Sequence, residues 1–169
     1  EEQAYMIKGS GVNLQQFCYT PEPENGKIRV LLTARMIIEK GIFILTDAAI
    51  KLKEKYRDKV QFLLCGGLDD NPKAIKEEDL KRVCDGEYIQ WLGYRTDVLS
   101  LLKDCHIVAF PSYYIEGLPK SLIEATAVGR PIITTDSIGC KETVIEGYNG
   151  YLIPVQDSET LADRLEILI

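Results

Sequence analysis

Two groups of residues in this sequence have the types and spacing for chemistry. Arg35 and Lys40 come just after a β-branched run, and Gly41 follows at once. Two side-chain cations beside the start of a helix, whose first amides lack intrahelical partners, suit an anion. Arg95, Lys120 and Lys141 follow later runs of the same kind, so positive groups recur at one set of loops. Taken singly, Arg95 and Lys141 also read as ordinary loop residues. The second group runs from Pro111 to Ala125 and carries Glu116, Gly117, Pro119, Lys120 and Glu124. Pro119 suits the first turn of a helix, which leaves Glu116 in the preceding loop beside a glycine that permits close ligand approach. Glu124 then falls in the second turn on a face with Lys120 and Ser121, while Leu118, Leu122 and Ala125 point inward. A plain surface pair between Lys120 and Glu124, worth about 0.3 to 0.5 kcal/mol, explains Glu124 equally well.

Other chemistry is poorly represented. Five cysteines, Cys18, Cys65, Cys84, Cys105 and Cys140, are scattered without a Cys-x-x-Cys pair, so they read as reduced thiols, with Cys65 and Cys105 as small buried hydrophobes. His106 is the single histidine and precedes the apolar run Ile107-Val108-Ala109-Phe110, which makes it a strand-start residue and no basis for a His-rich metal site. Asp69-Asp70 and Glu77-Glu78-Asp79 are flanked by lysines and read as solvated faces. No metal is expected.

These residues must be held by a scaffold, and the rest of the sequence indicates which. The chain has 169 residues, 46% of them apolar, with 26 acidic residues against 20 Lys plus Arg. That length buries roughly 70% of the unfolded surface without disulfide or metal staples. A net charge of −6 disfavours nucleic-acid binding, which draws on clustered Lys and Arg. No apolar stretch approaches the roughly 20 residues of a spanning helix, and no signal-peptide pattern opens the chain.

Residues 1–26 are rich in turn formers, ending Thr20-Pro21-Glu22-Pro23-Glu24-Asn25-Gly26, and read as a linker. From Lys27 onward, strand runs at 28–33, 60–64, 88–92, 107–110, 131–135 and 151–153 alternate with helical runs at 41–56, 77–84, 97–103, 118–128, 141–145 and 158–169. On the first helix Ile44, Ala48, Leu52 and Tyr56 recur on one face. Connections of this length join parallel strands, and parallel sheets need helices on both faces. The expected fold is therefore α/β, a Rossmann-like parallel six-stranded sheet. Ligands of such sheets bind beyond the C-terminal strand ends, where both groups of residues fall.

In this order the motifs resemble the C-terminal, donor-binding domain of retaining glycosyltransferases with two facing Rossmann domains, glycosyltransferase family four. Thr33-Ala34-Arg35-Met36 through Glu39-Lys40-Gly41 is similar to the family's Gly-Arg-Leu-x-x-x-Lys-Gly. Trp91-Leu92-Gly93-Tyr94, Phe110-Pro111-Ser112, the Glu116 and Glu124 pair with seven residues between, and Gly129-x-Pro131-Ile132-Ile133 follow. Gly139-Cys140-Lys141-Glu142 and Asn149-Gly150-Tyr151-Leu152-Ile153-Pro154 complete the set. Ala34 replaces the usual glycine, and Leu68 the second glycine of a Gly-x-Gly after strand two.

The resemblance implies that Arg35 and Lys40 bind a nucleotide's diphosphate, Glu116 a hydroxyl of the donor sugar, and Glu124 the ribose hydroxyls. Gly117 and Leu118 would present amides to phosphate or sugar, and Tyr94 and Arg95 would lie near the base. It also implies a nucleotide sugar as donor substrate, with UDP the expected nucleotide, and no cofactor. A glycan or lipid-linked acceptor would bind a domain preceding this chain, and Gly11-Val12-Asn13 with Phe17 is similar to the family's interdomain passage. The implied setting is cytoplasmic synthesis of surface polysaccharide, with any membrane association through the preceding domain. Two other readings remain, a nucleotide-sugar epimerase lobe and a noncatalytic module for a phosphorylated ligand. A dinucleotide-dependent oxidoreductase is disfavoured because no Gly-x-Gly-x-x-Gly follows strand one.

Overall fold

The alternation of strand and helix closes into one parallel sheet. The computed structural model describes residues 9–24 and 26–169, so the expected linker at 1–26 lies partly outside the described residues. The strands are β1 (Ile28–Thr33), β2 (Val60–Cys65), β3 (Ile89–Trp91), β4 (Ile107–Phe110), β5 (Ile132–Thr135) and β6 (Gly150–Ile153). They lie in the order β3-β2-β1-β4-β5-β6, and every pairing is parallel. The helices are α1 (Ile42–Tyr56), α2 (Glu77–Val83), α3 (Val98–Asp104), α4 (Lys120–Val128) and α5 (Ser158–Leu168).

Side-chain alternation along the strands divides the core in two, because successive residues of a strand face opposite sides of a sheet. Val30, Leu32, Phe62, Leu64, Ile107 and Ala109 pack with Leu45, Ala49 and Leu52 of α1 and Leu161 and Leu165 of α5. Leu31, Leu63, Val108, Phe110 and Ile132 pack with Leu102 of α3 and Leu122, Ala125 and Val128 of α4. Phe17, from the segment before β1, joins the second cluster. The buried Arg130 ties that segment down by donating to the carbonyls of Thr20 at 2.9 Å, Pro21 at 3.1 Å and Leu102 at 2.8 Å.

Two expected details differ. The buried stripe of α1 is centred on Ile42, Leu45, Ala49 and Leu52, and Ile44 and Tyr56 sit at its edge, only partly buried. The helix expected at 141–145 is a single 3-10 turn, Lys141–Thr143. The Asn149 side chain ends it, accepting from the Ile145 amide at 2.7 Å and donating to the Thr143 carbonyl at 2.9 Å. The β-branched Thr143-Val144-Ile145 has little intrinsic reason to resist that competition.

Candidate active site

The strand order decides which loops can meet. The loop after β1 lies between those after β2 and β4, because β1 sits between β2 and β4 in the sheet. Lys40 ends a short 3-10 turn (Ile38–Lys40), and Gly41 then adopts a left-handed φ of 79° before α1 begins. A Cβ at Gly41 would come within 2.2 Å of the Pro111 carbonyl oxygen, so only glycine lets the two loops approach so closely.

The contact is reinforced through Ser112, whose buried hydroxyl donates to the Glu39 carbonyl at 3.2 Å and accepts from the Tyr114 amide at 3.2 Å. The Tyr113 amide adds a bond to the same Glu39 carbonyl at 2.9 Å. Thr135 Oγ1, at the end of β5, donates to the Ser112 carbonyl. Gly139, with φ of 86°, brings the loop after β5 against the Gly117 carbonyl, which a Cβ there would meet at 2.3 Å. Ser112 thus joins the loops after β1, β4 and β5, a role its side chain type does not announce in the sequence.

This packing brings Lys40 and Glu116 together. Lys40 Nζ donates to Glu116 Oε1, and the ammonium lies 4.7 Å from the centre of the Tyr114 ring and 5.6 Å from that of Phe110. Aromatic faces attract a cation, and the carboxylate supplies the countercharge a buried ammonium requires.

Arg35 points elsewhere. Its guanidinium is 59% exposed and donates to Asp69 Oδ2, after β2, at 2.9 Å. Asp69 is therefore not simply a solvated residue, since its side chain is 16% exposed and takes Arg35 as partner. The rim is also not a bank of free cations. Arg95 pairs with Asp97 at 2.6 Å, Lys141 with Asp136 at 3.1 Å, and Lys120 with Glu124 at 3.7 Å.

Arg35, Tyr94, Arg95 and Glu124 share the wall of one cleft of about 230 Å³, with Gly66, Gly67 and Ser121. Tyr94 is mostly exposed and packs beside Gly67. Hydrogen bonds from Met36 N to the Gly67 carbonyl and from Trp91 Nε1 to the Gly66 carbonyl fix the floor, despite Leu68 in the following position. Glu124 stands on α4 with its side chain only 12% exposed. Burial pushes its carboxyl above the ordinary range, and Lys120 offsets this in part. Gly117 and Leu118 line a separate small hollow with Ile138, Gly139 and Glu142. The expected site residues therefore form three neighbouring parts, and Lys40 is the buried cation among them.

Cys65 lines the cleft as a buried thiol, and the histidine stays outside it. Cys65 and Cys105 are buried, which pushes both thiols up, Cys105 to about 12. His106 precedes β4 at the opposite end of the sheet, with Nδ1 accepting from the Arg29 amide at 3.1 Å and Nε2 3.1 Å from the Pro23 carbonyl. A larger hollow of about 500 Å³ at that end is lined by His106, Glu22 and Ile169, but both ring nitrogens are already engaged with backbone.

Residues 20–169 match the family model for glycosyl transferases group 1. Among curated proteins, the N,N'-diacetylbacillosaminyl-diphospho-undecaprenol alpha-1,3-N-acetylgalactosaminyltransferase of Campylobacter jejuni is 32% identical over 181 residues. That alignment covers 100% of this chain and 46% of the relative. The capsular polysaccharide biosynthesis glycosyltransferase CapM of Staphylococcus aureus is 27% identical over 80% of this chain and 35% of its own length. The chain thus spans less than half the length of these relatives. Among solved structures, the C-terminal domain of the group 1 family protein LpcC from Francisella tularensis superposes with a TM-score of 0.77 at 25% identity, covering 94% of this chain and 87% of that domain. Anabaena HepE, crystallised with UDP and glucose, shares the fold with a TM-score of 0.75 at 22% identity, over 96% of this chain and 46% of its own.

Proposed function

Because the chain belongs to the glycosyl transferases group 1 family, we propose that residues 27–169 are the donor-binding domain of a retaining transferase that moves a sugar from a nucleoside diphosphate to a glycan or lipid-linked acceptor. Residues 1–26 are the passage from an acceptor-binding domain. The single observation that carries this reading is the placement of the buried Lys40, paired with Glu116, and of the largely buried Glu124 at the C-terminal ends of adjoining strands.

In the reaction the bond between the anomeric carbon and the diphosphate oxygen breaks, a bond from that carbon to an acceptor hydroxyl oxygen forms on the same face, and the hydroxyl proton passes to the departing diphosphate. Negative charge collects on the departing diphosphate. Lys40, fixed among aromatic rings, is placed to stabilise it, since an oriented donor in a poorly hydrated site needs no reorganisation as charge develops. Arg35, whose own side chain is 59% exposed, can turn from Asp69 to the same anion, because a pair whose cation lies mostly in solvent is worth about 1 kcal/mol or less. Glu124 takes the ribose hydroxyls, with Tyr94 and Arg95 at the base end, and Gly117 and Leu118 present amides on the sugar side.

UDP is the nucleotide of choice for this site. Leu118-Pro119-Lys120-Ser121 and Gly139-Cys140-Lys141-Glu142 are similar to the corresponding stretches of bacterial surface-polysaccharide enzymes. The N-acetylgalactosamine named for the Campylobacter relative makes UDP-N-acetylgalactosamine the first donor to test. Calorimetric titration of the chain with UDP, GDP and ADP should give heat with UDP. No heat with any of the three at millimolar concentration would overturn the reading.

A further inference from the structure

Lys40 differs from every other cation of the rim in how its charge is already spent. Its side chain is 8% exposed and that of Glu116 24%, whereas the paired Arg35, Lys120 and Lys141 are 59%, 66% and 46% exposed. A cation held mostly in solvent leaves its carboxylate at little cost, and a buried one does not. The ammonium also has two aromatic neighbours and a loop latched through Ser112 to hold it in place. Any anion that reaches Lys40 therefore meets the Glu116 carboxylate in the same step.

Two ligands of the proposed site respond to that carboxylate in opposite ways. The two ligands share both phosphates and differ beyond them: the free nucleotide carries additional negative charge on its terminal phosphate, whereas the nucleotide sugar offers neutral hydroxyl donors on the attached sugar. Hydroxyls donate to a carboxylate, and an ammonium with three N–H donors can keep Glu116 while also donating to a phosphate oxygen. A terminal phosphate has no hydroxyl hydrogen to offer when fully ionised and is repelled by the carboxylate. We propose that Glu116, through its buried pair with Lys40, sets the preference of this site for the intact nucleotide sugar over the free nucleoside diphosphate, and so speeds departure of the product nucleotide. This inference rests on the donor-binding role proposed above.

The test measures dissociation constants of the full-length protein for UDP, UDP-N-acetylgalactosamine and UMP, in wild type and Glu116→Gln. UMP lacks the second phosphate and reports the nucleoside end alone. The expected result is that Glu116→Gln tightens UDP about tenfold, since one like-charge contact is removed, weakens the nucleotide sugar, and leaves UMP within twofold. A variant that shifts UDP and the nucleotide sugar in the same direction, or leaves their ratio within twofold, overturns the inference while the donor site stands. Wild type that binds UMP, UDP and nucleotide sugar not at all overturns both. Should Glu116→Gln not fold, the wild-type ratio decides. UDP bound no tighter than the nucleotide sugar supports the inference, and UDP bound more tightly contradicts it.

Discussion

The loop that carries Glu116 and the helix that carries Glu124 hold their carboxylates by different means. Glu116 lies in an irregular segment between β4 and α4, kept in place by Lys40 and by the Ser112 hydrogen bonds. Glu124 is fixed by the regular backbone of α4, and its nearest cation is the exposed Lys120 at 3.7 Å. One carboxylate has its charge answered in advance, and the other is raised in pKa by burial and only loosely compensated. A group that must stay charged and in place while a ligand arrives is served by the first arrangement. The second suits a group that waits for neutral donors such as a diol, because those donors relieve a desolvated carboxylate without competing cations to displace.

The largest effect that would separate the two regions is expected from Lys40→Ala in the full-length enzyme. Removing a donor to developing charge typically costs about 2.7 to 4 kcal/mol of transition-state stabilisation, or roughly 100- to 1000-fold in kcat. A loss below about tenfold would remove Lys40 from the proposed role. Glu124→Ala should act on the other side of the comparison, raising donor KM about tenfold while kcat falls no more than about threefold, because ribose contacts are present in ground and transition states alike. Unchanged donor affinity would return Glu124 to a plain helix-surface pair.

Acid should sharpen the contrast further. The carboxyl of Glu124 is shifted upward by burial, so it takes up its proton at a higher pH than an ordinary glutamate. The protonated group accepts less well from ribose hydroxyls, so donor KM should rise as pH falls through that raised pKa, and Glu124→Gln should remove this limb of the pH profile. The same sign applies to stability: a raised folded pKa means that ionising Glu124 weakens the fold, a penalty absent at low pH and present above the raised value. The smallest effect is expected for Lys120→Ala, where the cation is 66% exposed and an i,i+4 pair contributes about 0.3 to 0.5 kcal/mol. Donor KM should change less than about threefold, and a larger change would mean that Lys120 itself touches the nucleotide.

How much of this was legible beforehand differs between scaffold and site. Apolar β-branched runs and amphipathic segments are local signals, so the six strands and five of the six expected helices could be read directly. The run at 141–145 could not, because the side chain that stops it, Asn149, comes after the segment it caps. Glu116, Glu124 and the recurrent loop cations were visible by type and spacing. Their partners were not, since Lys40 and Glu116 are 76 positions apart and Arg35 and Asp69 are 34 apart. Those contacts depend on β1 lying between β2 and β4, a fact of strand order that no local window contains. The linking role of Ser112, which the Phe110-Pro111-Ser112 motif contains, is hidden for the same reason, because its partners come from the loops after β1 and β5.

A crystal of the protein grown with UDP tests the central claim most directly. The account predicts a diphosphate within hydrogen-bond distance of Lys40 Nζ, the two ribose hydroxyls on the Glu124 carboxylate, and the base beside Tyr94. Nucleotide bound at another edge of the sheet, with Lys40 and Glu124 untouched, would contradict it.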